Sequence, residues 1–155
     1  MDKTNAMRFL DRKKIKYEVH EYEGVVSGTD VAGALGENPE HVYKTLVTRG
    51  KSGGHYVFMI PVAEELDLKK GAKAVGEKSI AMLPQKELLP LTGYVHGGCS
   101  PIGMKKQFPT VIHETAMNFD TILFSGGKIG LQIEADPKIL QSLVRIQAAD
   151  IIVEK

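Results

Sequence analysis

Val42-Tyr-Lys-Thr-Leu-Val-Thr-Arg49 and His55-Tyr-Val-Phe-Met-Ile-Pro-Val62, separated by Gly50-Lys-Ser-Gly-Gly54, decide how this chain folds. Both arms are rich in β-branched and aromatic residues. The glycine-rich link between them is what a hairpin loop requires, so the segment predicts two antiparallel strands. Side chains alternate across a strand, which places Lys44 on the face shared with Val42 and Leu46. A lysine on an apolar face either lays its stem along the sheet edge with its head in water or is kept there for its charge, and composition leaves both open.

Toward the N-terminus, Thr4 can cap a helix that turns Ala6, Met7, Phe9 and Leu10 inward, and Ile15 to Tyr22 alternates as a half-buried strand does. Thr29 or Asp30 opens a short helix over Val31 to Leu35, stopped by Gly36. Toward the C-terminus, Glu64 to Gly76 and Pro84 to Leu91 predict helices. Thr110–His113 and Thr121–Phe124 predict short strands, and Gly126-Gly127 turns the chain into a strand over Lys128–Ala135. Asp136 and Pro137 begin a helix running to about Arg145, and Asp150–Val153 is expected to close the chain as a strand. The order of elements predicts an α+β (mixed α/β) fold, without a repeated βαβ unit. No linker or repeat divides the chain, so residues 1–155 are expected to form a single domain.

With 155 residues, 43% hydrophobic and 25% charged, the chain can bury a core of its own. A net charge of +1, with Arg12-Lys13-Lys14 the longest basic run, announces no polyelectrolyte-binding face. The single cysteine, Cys99, excludes an internal disulfide, and the opening Met-Asp-Lys-Thr-Asn is unlike a secretory leader; a reducing cytoplasm is the expected home. Membrane insertion is not expected, since no apolar run approaches the length of a span. Five scattered histidines without metal-binding spacing argue against zinc, and no cofactor is expected.

Gly93-Tyr-Val-His-Gly-Gly-Cys-Ser-Pro-Ile-Gly-Met-Lys-Lys106 is a loop built for close approach. Its glycines allow a ligand to reach the backbone, and free amides there suit a carbonyl oxygen, an oxyanion or a phosphate. Gly50-Lys51-Ser52 imitates the end of a P-loop, but Thr45 occupies the required first glycine and a hairpin is the wrong context. Ile102 occupies the last glycine of a nucleophile elbow at Ser100, so a serine hydrolase is not indicated. Cys99 beside His96 could act as a nucleophile only if its pKa were lowered; a lone cysteine is ordinarily a small buried apolar residue. Glu64-Glu65 reads as a solvated helix end, because adjacent residues do not face each other on a helix.

Three spaced motifs together resemble the YbaK/EbsC family, freestanding relatives of the editing domain inserted in bacterial prolyl-tRNA synthetases. They are Lys44-Thr45-Leu46, then Gly97-Gly98-Cys99-Ser100-Pro101 followed by Gly103 and Lys105-Lys106, and Ser125-Gly126-Gly127-Lys128-x-Gly130. The resemblance runs from about Ala6 to Val153. It implies a mixed, partly barrel-like sheet flanked by helices and hydrolysis of the ester linking a wrong amino acid to tRNA, most often cysteine on the tRNA for proline. It further implies that Lys44 is the essential lysine, that Gly97 and Gly98 belong to the catalytic Gly-x-x-x-Pro loop ending at Pro101, and that Tyr22, Thr45, Cys99, Ser100, Ser125, Gly126 and Gln132 line the substrate pocket. Two residues depart from the family: Cys99 replaces a common branched aliphatic, and Gln132 stands where some members carry an acid.

The family's proposed nucleophile is the thiol of the bound cysteine, which explains the lack of a protein triad. A water mechanism tolerating alanine, a non-catalytic module binding aminoacyl-tRNA or a synthetase, and a hydrolase of another small ester remain open. The small net charge suggests that selection of the proline tRNA depends on a transient complex with prolyl-tRNA synthetase.

Overall fold

The computed structural model describes residues 2–23 and 28–155. Two antiparallel pairings and two parallel ones organise the chain around the hairpin. Strand β2 (Tyr43–Gly50) pairs antiparallel with β3 (His55–Pro61), Lys44 lying opposite Ile60 and Thr45 opposite Met59. β3 then pairs in parallel with β5 (Thr110–His113), and β5 in parallel with β8 (Ile146–Ala149). Strand β4 (Ile80–Met82) covers only the far end of β2, from Thr48 to Gly50. The resulting five-stranded order is β4-β2-β3-β5-β8.

A second, three-stranded sheet has β7 (Leu131–Ala135) between β1 (Glu18–Glu21) and β6 (Ile122–Ser125), all antiparallel. A parallel bridge from Val42 to Leu123 joins the two sheets at the entry to β2, giving the partly closed, mixed sheet that the resemblance implied. Packed between them are Tyr43, Met59, Ile112, Phe124, Leu131 and Ile133, all buried.

Helices close the open faces. α1 (Asn5–Arg12) is capped by Thr4, whose hydroxyl accepts from the Met7 amide and donates to the Gly126 carbonyl at 2.5 Å, so the cap also pins the β6–β7 turn. α2 (Gly28–Ala34) buries Val31 and Ala32. α3 (Leu68–Val75) starts on the Asp67 cap and lies so close to the sheet that a Cβ on Gly71 would stand 2.8 Å from Ile80 Cδ1. α4 (Gln85–Thr92) precedes the glycine loop and ends on Gly93 at φ 87°. α5 (Pro137–Leu143) follows the Asp136 cap as expected.

One expected strand needs correction. Asp150–Val153 is not a strand: its β-branched run makes one bridge, Ile152 to Leu66, because Asp150 is drawn into an ion pair with Lys70 at 3.0 Å. The closing strand is instead β8, just before it, where parallel pairing with β5 makes a strand of residues that lie between the expected helix and the expected strand. The three-residue β4 is not foreseen at all.

Candidate active site

Antiparallel register explains why β2 can serve as one wall of a site. The bonds from Val62 N–H to the Val42 carbonyl and from Gly50 N–H to the Gly54 carbonyl show that even-numbered residues of β2 exchange hydrogen bonds with β3. The backbone groups of Tyr43, Thr45, Val47 and Arg49 therefore face the opposite edge. β4 reaches that edge only at Thr48, helped by Leu83 N–H donating to the Val47 carbonyl at 3.0 Å. Between this bond and the Val42–Leu123 bridge the edge stays open.

A cavity of about 640 Å³ lies along this open edge, in the size range of pockets that hold small molecules. It brings together Tyr22, Lys44, Thr45, Gly97, Cys99, Ser125 and Gln132, residues drawn from β2, β6, β7, the end of β1 and the glycine loop. Gly98, Ser100, Pro101 and Gly126, also expected at the site, do not line it. Ser100 and Pro101 are buried behind the loop. Gly98 is a packing residue, since a Cβ there would meet Lys128 Cα and Ile129 N at 2.9 Å. Its amide is also bonded to the Val95 carbonyl at 3.0 Å, whereas the amides of Gly97 and Cys99 make no backbone bond among the described residues. Gly126 serves the hairpin, its amide bonding the Leu131 carbonyl and its carbonyl accepting from Thr4.

The polar end of the cavity carries unmet hydrogen-bonding capacity. Lys44 is half-buried, and burial pulls its ammonium below the ordinary lysine range against the opposing fields of Glu65 and Glu64. It makes no ion pair or hydrogen bond among the described residues. Thr45 Oγ1 and Gln132 Oε1 are both buried without a partner. Such groups are costly in a folded protein, and here they belong to residues that line the cavity, leaving bonding capacity that a water or a ligand can meet. Ser125, opposite Gln132 in the β6–β7 ladder, accepts from the Gly127 amide at 3.3 Å and keeps its hydroxyl hydrogen for another acceptor. Tyr22 is fixed beside them by its amide bond to the Gly130 carbonyl at 3.0 Å.

Cys99 is a packing thiol. It is buried in a cluster with Val47, Tyr94 and Met104, and burial pushes its pKa up to about 12. At neutral pH only about one thiol in 10⁵ is ionised at that value, so it is not a usable nucleophile. His96 lines the cavity but is exposed on the loop.

The apolar end, missing from the sequence reading, is lined by Val31, Val42, Val62, Met82, Leu83 and Leu88. These residues lie in or directly beside five separate elements, α2, β2, β3, β4 and α4, and only the three-dimensional packing unites them. Away from the cavity, Glu18, His20 and Glu134 bring ligand-type atoms within 4.8 Å of one another. That trio already has internal partners: His20 Nε2 lies 2.8 Å from Glu134 Oε1, and Thr121 donates to Glu134 Oε2 at 2.5 Å.

Fold and cavity together define an editing-type α+β domain, and comparison with known proteins agrees. A solved structure described as a trans-editing enzyme for prolyl-tRNA synthetase superposes with a TM-score of 0.85 at 26% identity, covering 99% of this chain and all of its own. The solved structure of a hypothetical protein, 19% identical, shares the fold with a TM-score of 0.88 over 96% of this chain and 99% of its own. The aminoacyl-tRNA editing domain model matches residues 23–143. A protein of Enterococcus faecalis that bears the name of a Cys-tRNA(Pro)/Cys-tRNA(Cys) deacylase, EbsC, is 48% identical over 152 residues, 96% of this chain and 93% of its own length. This chain belongs to the aminoacyl-tRNA editing domain family.

Proposed function

We propose that the chain, acting as one domain over its whole length, is a trans-editing deacylase that hydrolyses the ester of mischarged tRNA, cysteine on the tRNA for proline foremost. The observation that carries this reading is the polar end of the cavity: among the described residues, a lysine without an ion pair or hydrogen bond and two buried oxygens without partners, next to loop amides that make no backbone bond, with the lining thiol held protonated by burial. This is equipment for holding an activated ester and its developing oxyanion rather than for attacking it.

The Gly97 and Cys99 amides supply donors to the ester carbonyl oxygen, and Lys44 supplies positive charge as that oxygen becomes anionic. The substrate's own thiol, giving up its proton to solvent, attacks the carbonyl carbon; the ester C–O bond breaks and the terminal hydroxyl of the tRNA leaves with a proton. The cyclic thioester so formed is hydrolysed by water to free cysteine. Serine presents a far weaker nucleophile at neutral pH and alanine none, so selectivity follows from the substrate's chemistry. The chain as a whole is only weakly cationic, at +1, which favours a transient complex with prolyl-tRNA synthetase as the source of tRNA selection. A cytoplasmic setting fits that partner, and among the described residues no helix is long and apolar enough to cross a membrane.

The test is deacylation of proline tRNA charged with cysteine, alanine or proline, with and without the synthetase. Rapid loss of cysteine alone is expected. Preference for alanine would replace the thiol step by water attack. Stability of all three esters would overturn the enzymatic reading in favour of a binding module.

A further inference from the structure

The open edge of β2 is longer than the aminoacyl group needs. By the register established above, the Thr45 carbonyl and the Val47 N–H both point away from β3, and neither has a backbone partner among the described residues. The edge is interrupted by the Val42–Leu123 bridge on one side and the Val47–Leu83 bond on the other. The gap is too short for an added strand, which needs a longer run of free groups. It leaves the Thr45 N–H and carbonyl and the Val47 N–H, of which the carbonyl and the Val47 N–H stand next to each other along one extended segment, at a cavity that also holds Lys44. Leu83 and Leu88, with exposed Met82 at the rim, supply apolar surface beside that pair.

A carbonyl and an amide so placed complement a planar heterocycle carrying an exocyclic amine next to a ring nitrogen acceptor. Adenine presents that pattern through N6 and N1; guanine, hypoxanthine and uracil present its inverse, a carbonyl next to a ring N–H. We infer that the edge of β2 is a base-reading subsite for the terminal adenosine of the substrate, the Thr45 carbonyl accepting from the N6 amine and the Val47 amide donating to N1. This inference rests on the proposed substrate class. It adds a specificity element for the nucleoside to the one for the amino acid, and it explains why the cavity is larger than a cysteinyl group. Cytosine carries the same amine and acceptor, so the pair reads a bonding pattern and leaves ring size to the leucines.

The test uses stable amide analogues, 3′-deoxy-3′-(L-serylamino)adenosine with its inosine and cytidine counterparts, titrated calorimetrically into the full chain. Amide spectra of isotopically labelled protein are recorded alongside. The adenosine analogue is expected to bind at least about 10-fold more tightly than the inosine one, in keeping with loss of a paired base-edge contact. The cytidine analogue should fall between them, and the Val47 amide resonance should move on adenosine binding. Equal affinity for adenosine and inosine, or no binding of any analogue, overturns the inference. Deacylation of cysteinyl-tRNA by the same preparation reports separately on the proposed function: active enzyme with no base preference fails the subsite alone, while base preference without deacylation fails the enzymatic reading alone.

Discussion

Replacing Lys44 separates catalysis from stability in opposite directions. An ammonium about 4 Å from an oxyanion, at the effective dielectric of a protein surface of about 20, interacts by roughly 4 kcal/mol. Loss of one preorganised donor in comparable sites costs about 2.7–4 kcal/mol, or about 10²–10³ in rate. Lys44 is only half-buried and feels Glu64 and Glu65, so the low end applies, and Lys44→Ala is expected to slow deacylation of cysteinyl-tRNA by about 10²-fold under single-turnover conditions. The same burial disfavours the charged form in the folded protein. Since the folded pKa lies below the unfolded value, the unfolded chain binds the extra proton between the two, and the group contributes least to stability at neutral pH. Lys44→Met, which retains the stem packed opposite Ile60, should therefore melt no lower than wild type while losing as much activity as the alanine variant. The wild-type rate should also fall on an alkaline limb below the usual lysine pKa, as the ammonium is lost, and both variants should lack that limb. Activity of Lys44→Met within threefold of wild type, or a melting temperature that falls with the rate, would refute this assignment.

Thr45→Val removes a buried hydroxyl that has no partner among the described residues; it should leave the melting temperature unchanged or higher and raise KM about 10-fold, since on the proposed reading the lost bond is to substrate. Gly98→Ala forces a Cβ against the Lys128–Ile129 backbone at 2.9 Å and should cost about 1–3 kcal/mol in denaturant unfolding, with loss of activity as the two loops separate. Gly97→Ala meets only the Ile129 side chain, at 3.5 Å, but at φ 85° it should cost about 1–2 kcal/mol through backbone strain. Cys99→Ala should retain deacylation within about threefold, and a thiol reagent should modify the native protein far more slowly than the unfolded one, because burial pushes that pKa up to about 12. His113 is 4% exposed and held below the usual histidine range by burial. Its contribution to stability is present above about pH 6.5 and is lost as pH falls, when the unfolded chain takes the proton first. Thermal melts between pH 7.5 and 5 should accordingly show a shallower decline for His113→Gln than for wild type.

What the sequence discloses depends on how local the cause is. The β2–β3 hairpin is legible because two β-rich runs flank a glycine loop, α1 and α5 because Thr4 and Asp136 cap them, and α3 only from the lysine-, alanine- and leucine-rich composition of its segment, its Asp67 cap emerging with the structure. β8 is not legible, since Ile146–Ala149 is a strand only through its parallel partner β5, more than thirty residues earlier in the chain. The polar end of the site is visible in the spacing of Lys44, the glycine loop and Ser125. Its apolar end is not, because Val31, Val62, Leu83 and Leu88 look like ordinary core residues until topology sets them around one gap. The loop glycines mislead in one respect: a glycine beside a site suggests backbone approach by ligand, whereas Gly98 is there to let the Lys128 backbone approach.

A cavity of about 640 Å³ cannot separate cysteine from proline by volume. Apolar pockets that differ by a methylene discriminate by only about 10–200-fold, and this one has room to spare beyond either side chain. Discrimination on the proposed reading must therefore come from groups that act on chemistry. Thr45 Oγ1 and Gln132 Oε1 offer two acceptors at the polar end. A primary ammonium can satisfy both with a third hydrogen left for solvent, whereas the secondary ammonium of a prolyl ester has one hydrogen fewer and a ring that restricts its direction. A cysteinyl ester positioned this way also carries its own nucleophile to the carbonyl held by the Gly97 and Cys99 amides. Neutral Gln132 matters here, since a carboxylate in its place would bind either ammonium strongly and flatten the difference, whereas two neutral acceptors leave the outcome to geometry. The protein would then spare the correct ester by declining to complete a reaction the substrate cannot start, which is why an inert Cys99 and a Lys44 without an ion pair among the described residues belong to the same site.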